Sequence, residues 1–331
     1  MFTVDAKTAA EIWDAAWSEI TTRGNHRTHV RGNYREALHS VLSLEDPRQR
    51  WVTTRVPPIN PAFALAEVIW ILRGRNDSAF LTAWNGKLPF YAGEGAEFYG
   101  AYGERLRSRF GFDQLSSAAE VLRSRPDQRQ VVLQIWDASS DFPTGSGDSR
   151  SPDIPCNVSS LLKVVDGRLE WLQVMRSNDL VRGLPYNLVQ WTTIQEVLAG
   201  WLGLEVGSYV HISDSLHIYD VDSSQFSAST SGELPLSSAD LRLDERESER
   251  VFATLENAAN SLAESDSPEA VLARAEPDVP SAYADWIKVL AGERLRRLGQ
   301  AAEGLELAET VEDRALRAVS RAWHLKAQER A

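Results

Sequence analysis

The chain has 331 residues, 43% of them apolar, with eleven tryptophans and a formal net charge of −12. That length and apolar fraction suit one large domain with an appendage and a sizeable core. The charge argues against nucleic acid or an anionic membrane as a partner, since a polyanion repels such a chain at long range, but a small anion held by a few local arginines remains compatible.

The start, Met1-Phe2-Thr3-Val4-Asp5-Ala6-Lys7, has no basic region followed by an apolar one, and no apolar run approaches a membrane span. The expectation is a soluble, cytoplasmic protein in which the single cysteine stays reduced. Residues 6 to 22 carry Ala10, Ile12, Trp13, Trp17 and Ile20 at amphipathic helical spacing. The segment 23–33 that follows, with Arg23, Gly24, Arg27, Arg31 and Gly32, reads either as a solvated loop or as a phosphate clamp, because guanidinium groups and glycine-exposed amides suit a phosphate dianion. From 41 to 57 the pattern is of strands ending in Trp51-Val52-Thr53-Thr54-Arg55, stopped by Pro57 and Pro58.

Residues 62 to 73 read as a buried helix with Phe63, Ala66, Ile69 and Trp70 on one side and Glu67 in its midst. A solvent-facing Glu is the commoner case, whereas a buried one has a raised pKa and can exchange protons near neutral pH. A second helix starts at Asp77 or Ser78, and the glycine- and aromatic-rich stretch 86–103 reads as an ordered loop approaching a ligand. Residues 113 to 124 predict a helix, 131–136 a strand, and 137–153 a polar surface loop leading to Pro155-Cys156-Asn157. A hairpin is expected over 158–165 and 169–175 around the Asp166-Gly167 turn, then an apolar helix over 187–202. Tyr209-Val210-His211-Ile212 and His217-Ile218-Tyr219 predict a strand pair or a kinked strand, with His217 and Tyr219 on one face. Beyond residue 222 a polar stretch, 223–238, precedes helical spacing in 246–263, 268–275, 281–298 and 310–326.

A lone cysteine makes neither an intramolecular disulfide nor a multi-cysteine zinc cage, and the scattered histidines match no metal-ligand spacing, so no metal is expected. Cys156 is then a small buried apolar group or a nucleophile. Its position upstream of Arg176-Ser177, Asp179 and Gly183-Leu184-Pro185-Tyr186-Asn187 favours a thiolate acting on an anionic polar ligand; His211 or His217 could serve as a base, and the spacing leaves that open.

Pro155-Cys156, Arg176-Ser177, Asp179, Gly183, Pro185-Tyr186-Asn187 and His217-Ile218-Tyr219 resemble, in order, the motifs of the thymidylate synthase family, which includes the pyrimidine nucleotide hydroxymethylases. Upstream the order continues with Arg27-Thr28, Val52-Thr53-Thr54-Arg55, Glu67 with Trp70, Leu72 and Gly74, Tyr99-Gly100, and Asp127, Arg129 and Trp136, so the likeness covers about residues 20 to 220. It implies an α+β fold with a large bent mixed β-sheet flanked by helices. The catalytic domain would span 1–222, and a divergent all-helical C-terminal region 223–331.

By resemblance, the Cys156 thiolate adds to C6 of a pyrimidine nucleoside monophosphate, and C5 takes a one-carbon unit from 5,10-methylenetetrahydrofolate. Glu67 and Tyr99 would handle protons. Arg27, Arg176 and Ser177 would hold the phosphate, with Arg129 donated across a homodimer interface. Asn187 would read the base, uracil in dUMP, while His217 and Tyr219 bind the sugar 3′-hydroxyl, and Asp179 and Gly183 belong to the folate side. Departures from the family pattern are Asn157 for the usual His, Met175 for Gln, Gln130 for a second Arg, and Asp214-Ser215-Leu216 ahead of His217. The chain also ends on a helical Lys326-Ala327-Gln328-Glu329-Arg330-Ala331 instead of the family's short apolar tail. Since that tail excludes water, hydroxymethylation of dUMP, dCMP or CMP stands beside methylation, and a catalytically inactive nucleotide-binding homologue is the third expectation.

Overall fold

The computed structural model describes residues 1–29, 32–229, 238–275 and 278–328. Val30 and Arg31 of the basic loop, 230–237 of the polar stretch and the last three residues lie outside the described residues.

The chain opens with strand β1 (Phe2–Ala6) and helix α1 (Ala9–Arg23), followed by β2 (Asn25–Arg27), β3 (Tyr34–Leu44) and the two-residue β4 (Arg55–Val56). Helices α2 (Pro61–Leu72), α3 (Ser78–Trp84), α4 (Leu88–Ala92), α5 (Tyr102–Arg107) and α6 (Gln114–Ser124) come next. After β5 (Val132–Gln134) and α7 (Ala138–Asp141), the hairpin β6 (Asn157–Val165) and β7 (Arg168–Asp179) leads into α8 (Leu184–Leu202) and the long β8 (Glu205–Tyr219). The rest is α9 (Asp220–Ser223), β9 (Ser227–Ala228), α10 (Glu245–Glu264), α11 (Pro268–Leu272), α12 (Ser281–Arg297), α13 (Ala301–Glu309) and α14 (Arg314–Gln328).

One mixed sheet runs β1-β3-β8-β7-β6-β5, with β2 added on β3; β1 is parallel to β3 and β7 to β8, and the other pairs are antiparallel. Helix α8 is apolar nearly all round, as a helix buried on every side must be, and packs against β7, β8 and α2. Buried positions alternate along β7 and β8, but their phase reverses at one level, between Met175 and Asn178 and between Ser213 and Leu216. At that level His39 of β3 takes a φ of 54° between the Leu38–Ser215 and Ser40–Ser213 pairs. Neighbouring strands crease together there, which gives the expected bent sheet.

Several expectations change: the stretches 86–103 and 137–153, read as loops, hold the short helices α4 and α7. Residues 51–54 form no strand: Arg55 turns its guanidinium onto the carbonyls of Pro57, Pro58 and Val181, and this clamp, with the prolines, holds the segment as a loop. The 310–326 helix starts at Arg314, and the preceding α13 was not foreseen because its apolar stripe is short. Helices α10 and α12 bury Val251, Phe252, Leu255, Tyr283, Trp286 and Leu290 in the same core as α2 and α8. Arg73, at the end of α2, donates to Glu256 at 2.8 Å and Glu249 at 3.0 Å of α10, while Arg75 and Arg107 reach the same two carboxylates.

Candidate active site

Strand register assembles the site at one end of the sheet. Asn157, directly after Cys156, pairs with Met175; Ser177 pairs with Ser215, and Asp179 with His217; Glu36 pairs with His217, and Tyr34 with Tyr219. Successive rows of paired residues therefore bring side chains of four strands to this end, although their positions in the chain are far apart.

Cys156 is half-buried and in no disulfide. Its carbonyl accepts from the Arg176 amide at 3.0 Å, which fixes the start of β6 against β7. The Arg176 guanidinium donates to the carbonyls of Pro155 at 3.0 Å and Ile154 at 3.1 Å, lies over the Trp136 ring, and brings Nη2 to 3.9 Å from the thiol sulfur. A cation so placed is the electropositive neighbour that thiolate chemistry needs.

Glu67 faces this region from α2. Its Oε2 is sealed from solvent without a hydrogen-bond partner, although part of the residue stays accessible. Burial pushes its pKa up to about 8, with Gln190 of α8 opposing the shift through a hydrogen bond. The carboxyl is therefore mostly protonated at neutral pH, as the buried-glutamate expectation required. Asn157 Nδ2 and Gln190 Oε1 are also buried without partners, so donor and acceptor capacity is left over in the same region.

The structure does not bring Tyr99 into this group. Its hydroxyl donates to the Ser140 carbonyl at 2.9 Å, and Arg105 and Arg109 lie over its ring. Tyr102, three residues on at the start of α5, takes the place: its ring packs on Trp191, and its hydroxyl is raised by burial and by the charges of Cys156, Asp153 and Glu67, with the nearby Asn157 amide opposing the shift. The Tyr-Gly pair occurs twice, at 99–100 and 102–103, and the pair on the helix is the one turned inward. Gly103 fits there because a Cβ would meet the Trp70 and Ile71 carbonyls at 2.8 Å.

Arg27 is held by Glu36 at 2.7 Å, and Glu36 accepts from Ser215 at 2.8 Å, which joins the basic loop to the β7–β8 ladder that holds Ser177. Arg129 is exposed just ahead of β5, its amide held by the Gln128 side chain, and it makes no contribution to these rows within one chain. His217 and Tyr219 share a face, as expected, with ring centroids 5.4 Å apart, and Tyr34 packs on both. Asp179 accepts from the amides of Val181 and Arg182 at 2.8 and 2.7 Å; burial raises its carboxyl while His217 opposes the shift.

Gly183 precedes α8, and a Cβ there would meet Asn178 Oδ1 at 2.7 Å; its smallness lets Asn178 slide beneath Asn187. Asn187 is buried and donates from Nδ2 to Asn178 Oδ1 at 3.1 Å. Sequence reading missed Tyr102, Asn178 and Gln190, and named His211 only as a candidate base for the thiol. The repeated Tyr-Gly pair and two buried-helix glutamines were the available signals. Nothing in the spacing marks Asn178 and His211 as neighbours, because their contact is made across strands. Among the described residues no group of three or more His, Cys, Asp or Glu side chains could hold a metal ion.

A bent mixed sheet with a helix-covered face thus carries a thiol, an arginine and a dry glutamate at its end. The family model described as Thymidylate synthase matches residues 10–261, and the chain belongs to that family. Similar curated proteins include a deoxyuridylate hydroxymethyltransferase of Bacillus phage SP01, 33% identical over 66% of this chain and 59% of the relative. Another, from Pseudomonas phage M6, is 36% identical over 49% of this chain and 45% of the relative. A protein named Thymidylate synthase 1/2 from Encephalitozoon cuniculi is 28% identical over 54% of this chain and 66% of the relative. The chain spans about half to three fifths of the length of the two phage relatives.

Proposed function

We propose that this protein transfers a one-carbon unit to C5 of a pyrimidine nucleoside monophosphate, with dUMP as substrate and a hydroxymethyl group as product. The observation that carries the reading is Cys156 beside Arg176, facing Glu67 and Tyr102. A nucleophile, its cation and two groups that hold protons at neutral pH are what reversible thiolate addition to C6 requires. 5,10-Methylenetetrahydrofolate would supply the carbon at the level of formaldehyde, and the sealed polar atoms of Glu67, Asn157 and Gln190 suit a planar polar ligand with ordered water. Arg27, Arg176 and Ser177 would bind the phosphate, His217 and Tyr219 the sugar, Asn187 the base, and Asp179 with Gly183 the folate side. Residues 1–222 would form the catalytic unit and 223–331 a helical region packed on it.

Addition of water to the exocyclic methylene, with loss of a proton to give the hydroxymethyl group, is favoured by the names of the two phage relatives and by that unspent polar capacity around Glu67. Hydride transfer to give a methyl group is the second reading, favoured by the name of the Encephalitozoon cuniculi relative. Tritium release from 5-tritiated dUMP, with and without methylenetetrahydrofolate, tests the reaction. Release should occur in the native protein and vanish in Cys156→Ala; equal release by both overturns the proposal. Mass spectrometry of the product separates the readings, since the hydroxymethyl compound carries one more oxygen.

A homodimer with Arg129 completing the partner's phosphate site goes with this function. The sheet surface outside α8 exposes Val132, Leu161 and Val165 near the edge that Arg129 precedes, and such an apolar face suits burial against a second copy.

A further inference from the structure

Beneath Asn187 lies a continuous buried relay that the reaction itself does not use. Asn187 Nδ2 donates to Asn178 Oδ1 at 3.1 Å; Asn178 Nδ2 lies 2.9 Å from His211 Nε2 and donates to Ser213 Oγ at 3.3 Å; His211 Nδ1 lies 2.8 Å from the Tyr209 hydroxyl. His211, Ser213 and Tyr209 are fully buried, and Asn178 is 2% exposed. They meet because Tyr209, His211 and Ser213 alternate onto the covered face of β8, and the phase reversal in β7 turns Asn178 to the same side.

The relay has a direction. An amide nitrogen only donates, so His211 Nε2 accepts; burial keeps the ring neutral, with its pKa pushed down to about 3, so its one proton sits on Nδ1 and is donated to Tyr209. Asn178 must then offer its oxygen to Asn187, and Asn187 must turn its nitrogen inward. Toward a ligand it keeps one N–H at one position and its oxygen at the other. An asparagine rotated by a half-turn exchanges these two. Unrotated, it complements a carbonyl beside an imide N–H, as in uracil; rotated, it complements an amino group beside a bare ring nitrogen, as in cytosine.

We infer that Asn178 and His211 are positioning residues that lock the amide of Asn187 in one orientation and thereby make this protein select uracil over cytosine nucleotides. The inference rests on the reading of Asn187 as the base-contacting residue. Rotating Asn187 against the intact relay places two oxygens face to face in a dry site, the kind of lost hydrogen bond that changes an equilibrium by about tenfold or more.

Binding of dUMP and dCMP is measured by calorimetry and their C5 tritium release by kinetics, for the native protein, Asn178→Ala, His211→Leu and His211→Gln. The native protein should prefer dUMP. The preference should fall about tenfold in Asn178→Ala and, to a smaller extent, in His211→Leu, with the loss appearing in KM for dUMP rather than kcat. His211→Gln, whose amide oxygen can still accept from Asn178, should keep most of it. An unchanged preference in Asn178→Ala, or an equal loss on both bases through kcat, overturns the inference, as does a native protein that binds the two alike. Preferential dUMP binding that follows the relay variants, without Cys156-dependent exchange, upholds the inference and sinks only the catalytic reading.

Discussion

Glu67 shows how one side chain's environment sets its chemistry. Its pKa near 8 is a raised one, so between the ordinary carboxyl value of 4.5 and about 8 the folded chain holds a proton that the unfolded chain has released. The stability tied to this group is complete below 4.5 and declines as pH rises through 8. Glu67→Gln should therefore flatten the alkaline fall of the denaturation midpoint in a urea titration series run from pH 6 to 9. Tritium release should show a limb near pH 8 in the native protein and lose that limb in the variant. The position of Glu67 in an apolar helix was legible in the sequence, since eleven of the twelve residues of α2 are buried and Glu67 is the exception. The choice between Tyr99 and Tyr102 was not, because both precede glycine and only the start of α5 determines which hydroxyl turns inward.

At the scale of elements, the segment leading to Cys156 is anchored by a buried ion pair between the short helices α5 and α7. Arg105 of α5 is fully buried, donates to Asp141 at 2.6 and 2.9 Å, and also holds the carbonyls of Tyr99 and Ile135. Asp141→Ala leaves that guanidinium dry and unpaired, and should destabilise the fold by about 3–5 kcal/mol in denaturant titration. Because Arg105 lowers the Asp141 carboxyl, the pair's contribution is present above the ordinary value of 3.8 and fades as pH falls below it. The hairpin, α2, α8 and the tail helices could be read from periodicity and turn residues, each a local signal. The crease in β7 and β8 is cooperative between strands, and no single stretch encodes it. The sequence therefore left open whether 209–219 was one strand or two.

For the whole molecule, the testable claim is the shared site. Arg129→Ala and Cys156→Ala should each be nearly inactive in tritium release, yet mixing them under conditions that exchange subunits should restore activity, since one of the two mixed sites regains both residues. Failure of the mixture, in a sample shown to exchange, would leave Arg129 without a role across the interface. The C-terminal helices, read from sequence as an appendage, share the core of α2 and α8, and the match to the family runs on to residue 261.

Helix α2 is a beam fixed at both ends. At its start the Asn60 amide donates to the Tyr186 hydroxyl of α8 at 3.1 Å while the Asn60 side chain caps Phe63; at its finish Arg73 is gripped by two carboxylates of α10. Glu67 sits at mid-span, where a bar clamped this way would bow most if either clamp yielded. A carboxyl that keeps its proton only while dry depends on that stiffness, so loosening the grip of α10 on Arg73, about two turns away, would wet the acid and detune its timing without altering a residue that meets the substrate.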